Sequence, residues 1–256
     1  MNIYLAGVYN FYNYLFNDEE IVALTKKVKP NFLESYYYIR GKDITKLLNL
    51  CSNFLLDSGA FTLRQNSKDS VNWVEYIKEY ASFINKYDIK YFFELDIDNL
   101  VGYEKVKEYR ELLENLTGKK CIPVWHPSRG FEDFTEMCKE YDYVSIGGIA
   151  GAKKDIEQKY KMIFPNLITE AHKYNCMIHG LGCTSLTKIQ DWKFDSVDST
   201  SWLAGQRFGI LYRFEGNKMT KKSPPKGKKL AIDFRQSVKL TYTEWLKYIE
   251  YAREFL

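Results

Sequence analysis

Short apolar runs alternate with amphipathic stretches along this chain. The runs Ile3–Val8, Phe32–Ile39, Phe54–Phe61, Tyr91–Asp98, Cys121–His126, Tyr143–Ala150, Met177–Gly182 and Phe194–Ser199 read as strands. Several are nearly continuous in apolar residues, as expected of parallel strands covered on both faces. Helical spacing fills the gaps. In Val71–Tyr87, Val74, Ile77, Ala81 and Ile84 line one face, with Asp69 or Ser70 as the expected cap. Further helices are predicted at Glu19–Val28, Tyr103–Leu116, Phe131–Lys139, Asp155–Tyr174 and Tyr242–Phe255, the last opened by a capping box from Thr241 to Glu244. Eight strands interleaved with helices predict an α/β fold, a TIM-like (β/α)8 barrel. The chain reads as one domain: barrel over about residues 1–213, then a basic loop and closing helix over about 214–256.

Composition agrees with this picture. The 256 residues match the roughly 250 that such a barrel needs. With 45% hydrophobic residues the chain can fill a large core, and 27% charged residues argue against disorder. A net charge of only +4 excludes a generic polycation. Positive charge is concentrated instead from Lys218 to Lys229, a stretch with no acid and two adjacent prolines. Lys221, Lys222, Lys226, Lys228 and Lys229 are therefore expected to neutralise nucleic-acid phosphates from an exposed loop, unless the loop is merely solvated. Five cysteines without a Cys-x-x-Cys spacing favour reduced thiols. The start lacks a basic segment followed by a long apolar one, and no run approaches the ~20 residues of a membrane span. A cytoplasmic protein is expected, with no membrane partner.

The strand ends carry the polar residues. Asp57 and Phe61 end the third run, and Glu94, Asp96 and Asp98 the fourth. His126 ends the fifth, Gly147-Gly148-Ile149-Ala150-Gly151 the sixth, Leu181-Gly182-Cys183 the seventh, and Asp195 and Asp198 the eighth. In a barrel these ends share one rim, where active sites are built. Glycine backbones can approach a flat ligand closely, a carboxylate can accept two N–H bonds from a guanine-like edge, and Phe61 can stack on a base. Asp57 could instead cap an ordinary Asp-Ser-Gly turn. Asp195 and Asp198 lie on opposite strand faces, so only one should point into the site. His172, Cys176, His179 and Cys183 straddle a helix and a whole strand, so no metal site is assigned to them.

In this order the motifs resemble the tRNA-guanine transglycosylase superfamily. Asp57-Ser58-Gly59-Ala60-Phe61 matches its Asp-Ser-Gly-Gly-Phe motif, and Asp96 an aspartate that ends a central strand. Gly147-Gly148-Ile149-Ala150 matches Gly-Gly-Leu-Ala, and Phe194-Asp195-Ser196-Val197-Asp198-Ser199 matches the nucleophile strand Val-Asp-Met-Phe-Asp-Cys. The matched motifs run roughly from Phe54 to Trp202.

The resemblance implies a base-exchange glycosyltransferase. Asp198 would attack C1′ of the nucleotide and expel guanine, and Asp57 would serve as general acid and base. Asp96 would bind the guanine edge, Phe61 would stack, and His126 takes the place of a base-contacting glutamine. Gly147 and Gly148 would give backbone contacts beside Ile149 and Leu181. No cofactor is implied. No cysteine follows Cys183, whereas the tRNA enzymes carry a zinc site of cysteines and a histidine near their C-terminus. That departure, with the shorter chain, points to the often phage-encoded relatives that place 7-deazaguanines into DNA. Lys153 stands near the family's glutamate for an aminomethyl group, which favours a neutral base such as preQ0. The expected partners are DNA, that free base, and proteins that scan or open DNA. The alternatives are exchange on tRNA, an N-glycosidase in which water resolves the intermediate, and a non-catalytic nucleic-acid binder.

Overall fold

The computed structural model describes residues 1–66, 71–147, 154–182, 192–203, 210–223 and 233–256. Eight parallel strands form one sheet: β1 (Asn2–Ala6), β2 (Asn31–Ser35), β3 (Phe54–Asp57), β4 (Tyr91–Phe92), β5 (Val124–Trp125), β6 (Tyr143–Ile146), β7 (Met177–Gly180) and β8 (Ser196–Ser199). Their order is β4-β3-β2-β1-β8-β7-β6-β5. A parallel bridge between Phe93 and Ile122 joins the two outer strands. Its bonds run from Ile122 N–H to Phe92 O at 2.8 Å and from Glu94 N–H to Ile122 O at 3.1 Å. The sheet thus closes into a TIM-like (β/α)8 barrel, as the alternating pattern predicts.

Period-two alternation separates two buried layers. Leu33, Leu55, Phe93, Val124 and Tyr143 pack inside the barrel. Their neighbours Phe32, Leu56, Phe92, Val144 and Val197 face the surrounding helices. Leu55 points inward, so Asp57 does too. Val197 points outward, so Ser196 and Asp198 point inward.

The strands are shorter than the apolar runs. The run to Ile39 stops at Ser35 and turns into a helix over Tyr36–Ile39. The run to Phe61 stops at Asp57, with a helix over Ala60–Asn66. The run to Asp98 keeps only two strand residues, and Asp98–Val101 is helical. The expected cap residues Asp69 and Ser70 lie outside the described residues; Asn72 caps the helix Trp73–Lys86 by accepting from Glu75 N–H at 3.2 Å.

The closing helix is longer than the capping box implied. It spans Phe234–Phe255 and is capped by Asp233, so Thr241 to Glu244 lie inside it. It belongs to the barrel's outer layer. Its Tyr242 hydroxyl meets Thr25 at 3.1 Å, and Arg253 donates to Val28 O at 2.7 Å. Among the described residues no helix is long and apolar enough to cross a membrane.

Candidate active site

Local chemistry fixes Asp57 at the rim. Gly59 takes a φ of +67°, and a Cβ there would lie 2.5 Å from Ser35 Oγ and 2.6 Å from Tyr37 Cβ. Only glycine fits such a turn. The Tyr80 hydroxyl donates to Leu56 O (3.0 Å) and Phe93 O (3.1 Å), pinning the ends of β3 and β4 together. The Tyr76 hydroxyl holds Ser58 O. Asp57 Oδ2 accepts from Gly59 N–H at 3.1 Å, so the turn-cap role is real. Burial nevertheless raises its carboxyl to about 6, the Gly59 bond opposes this, and the charges of Asp96 and Asp198 push it further up. A simple turn cap on the surface would not sit beside two other acids.

Asp198, on β8, is nearly buried. Its Oδ1 accepts from Gly182 N–H at 2.7 Å and lies 3.4 Å from His179 Nε2. Asp195 is elsewhere. It precedes β8 rather than ending it, and its carbonyl accepts from Asn2 N–H at 2.9 Å, at the start of the strands. Its carboxylate takes the Ile178 N–H at 2.8 Å and His172 Nε2 at 3.0 Å. The barrel's two ends separate the two aspartates, so Asp195 is a structural group and not a rim residue.

Asp96 and His126 meet directly, with Nε2 to Oδ1 at 2.6 Å. Burial pulls the His126 ring towards neutrality, but the Asp96 bond and the charges of Asp96 and Asp98 outweigh it, so its pKa rises. Asp98 lies 4.0 Å from the same nitrogen and is bound by Arg129 at 3.1 Å. Arg129 in turn covers the Tyr103 ring, 3.9 Å from its centroid. Ligand atoms of Asp96, Asp98 and His126 lie within 4.8 Å of one another, close enough to share a cation. Arg129 already supplies positive charge there.

Strict strand alternation would put Glu94 on the same face as Asp96, but it points the other way. It is fully buried, accepts from Arg110 Nε at 2.7 Å and from Val124 N–H at 2.6 Å, and so tethers the helix Tyr103–Thr117 to β5. The chain leaves strand geometry after Phe93, which breaks the alternation that put Glu94 and Asp96 together.

Gly147 has a packing role beside the one the resemblance implied. Its N–H is bonded to Trp125 O at 2.9 Å. A Cβ at Gly147 would lie 2.6 Å from Val124 Cγ1 and 2.9 Å from His126 Cε1. The missing side chain makes room for the His126 ring. Gly148 and Ile149 lie outside the described residues. Leu181 packs against the barrel interior from the end of β7. Phe61 is 61% exposed, at the start of the helix that follows Asp57.

The first part of the lysine segment is a strand. β9 (Leu211–Phe214) and β10 (Met219–Lys222) form an antiparallel hairpin, not a loop. Met219 pairs with Phe214 and Lys221 with Tyr212, on the face whose Tyr212 and Phe214 contact Trp245 and Tyr248. Lys222 and Arg213 fall on the opposite, solvent face. Lys226, Lys228 and Lys229 lie outside the described residues.

Sequence reasoning assigns no role to Arg129, sets His179 aside as a metal ligand, and puts Gly182 at a strand end, where Gly-Leu-Gly marks a close backbone approach, without its bond to Asp198.

No family profile matches this sequence, and no curated protein does. Solved structures do match. One is a candidate fructose-1,6-biphosphate aldolase from Coccidioides immitis, with a TM-score of 0.54 and 12% identity, covering 97% of this chain and 87% of that one. Another is the carboxyl transferase domain from Rhizobium etli pyruvate carboxylase with oxalate, at 0.50 and 14%, covering 98% of this chain and 48% of that one. At such identities the likeness is one of fold, and it agrees with the barrel described above.

Proposed function

We propose that this chain is a base-exchange transglycosylase that replaces guanine in DNA with a 7-deazaguanine base such as preQ0. The observation that carries this reading is the pairing of Asp57 and Asp198. Both are inward-facing carboxylates on strands of one barrel, close enough for the charge of one to raise the pKa of the other. Two carboxylates with unlike environments suit one acid/base and one nucleophile.

The reaction runs as two displacements. A carboxylate oxygen of Asp198 attacks C1′, and the bond from C1′ to the base nitrogen breaks. Asp57 gives its proton to the departing guanine. The incoming base then returns a proton to Asp57, its nitrogen attacks C1′, and the ester to Asp198 breaks. Two inversions restore the original configuration, and both carboxyl groups end as they began. Asp96, held by His126, accepts N–H bonds from the base edge, and the exposed ring of Phe61 covers its face. The choice of DNA follows the resemblance to the enzymes that lack the zinc cysteines. A base must leave the stack to reach this rim.

The test incubates the protein with labelled guanine and DNA or tRNA, with and without preQ0. Label entering DNA alone supports the reading, and displacement of that label by preQ0 supports the incoming base. Guanine release without an acceptor supports the glycosidase. No exchange on either polymer overturns it.

Two further results are expected. Phe61→Ala should raise KM for the free base roughly 5- to 30-fold with little change in kcat, the value of one base-aromatic stack. A KM within twofold of wild type removes Phe61 from the site. For the hairpin, Arg213→Ala and Lys222→Ala should each lower the slope of log affinity against log salt by about one, whereas Lys221→Ala should not. Slopes equal to wild type in all three variants exclude the hairpin from polymer binding.

A further inference from the structure

A chain of polar side chains runs through the barrel interior and ends on Asp198. The Tyr143 hydroxyl is bonded to Ser196 Oγ. Ser196 Oγ lies 2.6 Å from His179 Nδ1, and His179 Nε2 lies 3.4 Å from Asp198 Oδ1. His179 is fully buried, with its ring packed edge-on to Tyr4 at 5.9 Å and tilted on Phe93 at 5.4 Å. Packing of this kind fixes the ring plane. In a barrel interior filled mainly by apolar side chains, a line of hydroxyls and an imidazole has a cost unless it serves some purpose.

Only one proton arrangement satisfies every member of the chain with a neutral ring. A ring protonated on Nδ1 would turn the Nε2 lone pair on the Asp198 carboxylate. With the proton on Nε2, the ring donates to Asp198, and Nδ1 accepts from the Ser196 hydroxyl. Ser196 then accepts from Tyr143. Both donors to Asp198, Gly182 N–H and His179 Nε2–H, fall on the same oxygen, Oδ1.

We propose that His179 is a positioning residue that, set in its Nε2–H form by Ser196 and Tyr143, clamps Asp198 through Oδ1 and leaves Oδ2 to attack. The hydrogen bonds hold Oδ1 in place, so Oδ2, which accepts no bond from the described residues, is the oxygen free to reach C1′. The attacking role of Oδ2 rests on the exchange reading above; the tautomer and the clamp do not.

Two experiments separate these claims. The chain has only three histidines, so ring 15N NMR of the substrate-free protein can assign each by single replacement. The expected result is a proton on Nε2 of His179 and none on Nδ1, with the Nδ1 signal moving in Ser196→Ala. A proton on Nδ1 overturns the clamp, whatever the protein's substrate. The second experiment traps the covalent protein–DNA adduct in a single turnover. His179→Leu should slow adduct formation up to about 10²-fold with KM near wild type, the effect of misplacing a reacting group. His179→Gln, whose amide can still donate to Asp198, should recover most of the rate. Ser196→Ala removes only a hydroxyl and keeps the fold, and it should slow the step by less than His179→Leu. Unchanged adduct rates in both His179→Leu and Ser196→Ala overturn the positioning role. A wild-type protein that forms no adduct with DNA or RNA counts against exchange and leaves the NMR result to decide the clamp.

Discussion

Asp198→Ala is expected to abolish base exchange, with a loss of roughly 10⁴-fold or more, while Asp195→Ala leaves the rate within about threefold. The two residues lie three positions apart in one short segment, and both read as acids at a strand end. Their surroundings differ. Asp198 faces the barrel interior and, among the described residues, accepts both its hydrogen bonds on Oδ1. Asp195 lies at the opposite end of the barrel, where it takes the Ile178 N–H and pairs with His172. Losing Asp198 removes the atom that bonds to C1′, for which nothing nearby substitutes. Losing Asp195 removes a buried N–H partner and should cost about 1–2 kcal/mol of stability instead. Urea midpoints should fall in both variants, since Asp198 also accepts a backbone N–H, but the exchange rate separates them: only Asp198→Ala loses it. Full activity in Asp198→Ala would end the nucleophile assignment and with it the whole exchange mechanism. A loss of exchange in Asp195→Ala with the fold intact would mean the barrel's two ends have been assigned the wrong way round.

The contrast between these aspartates also shows what the sequence could carry. Buried parallel strands write themselves as near-continuous apolar runs, so the eight-stranded barrel was legible. Their ends were not. Tyr36 to Ile39 and Ala60-Phe61 are as apolar as any strand, yet they form helices, the second after the turn that the positive φ of Gly59 makes. At the other end of β8, Phe194 extends the apolar run backward, which placed Asp195 inside a strand that starts one residue later. Face alternation still held within β8, where Asp198 faces the interior, although alternation alone does not choose between the two aspartates. It failed for Glu94 and Asp96, where the strand had already stopped. The hairpin of β9 and β10 was hidden by its lysines: charge density drew the eye, and the pairing of Leu211–Phe214 with Met219–Lys222 needs contacts that local pattern does not encode. Polar contacts inside the barrel are likewise long-range. His179 and Ser196 are 17 residues apart and meet only because β7 and β8 are neighbours.

Asp57→Asn is expected to cost exchange about 10²- to 10⁴-fold, the usual contribution of a general acid/base, and at the same time to stabilise the fold above pH 6. The sign follows from the pKa. Burial raises the Asp57 carboxyl from 3.8 to about 6 in the folded chain. The native state therefore holds a proton that the unfolded chain has lost. The stability this provides is complete below about pH 4 and is lost as pH rises through 6. Asparagine carries no charge to bury, and its amide oxygen still accepts the Gly59 N–H. The variant should then unfold at higher urea than wild type at pH 8, by on the order of 2–3 kcal/mol, with the difference closing at pH 4. Exchange by the wild-type protein should peak near pH 6, because expulsion of guanine needs Asp57 protonated and entry of the new base needs it ionised. Stability curves of both proteins across pH 4 to 8 check the first claim, and the pH–rate profile checks the second. If Asp57→Asn is less stable than wild type at pH 8, the carboxylate is held there by its turn, and the acid/base role has no basis in this site. If it is more stable and inactive, the protein keeps a destabilising acid at its rim for the sake of the proton it moves.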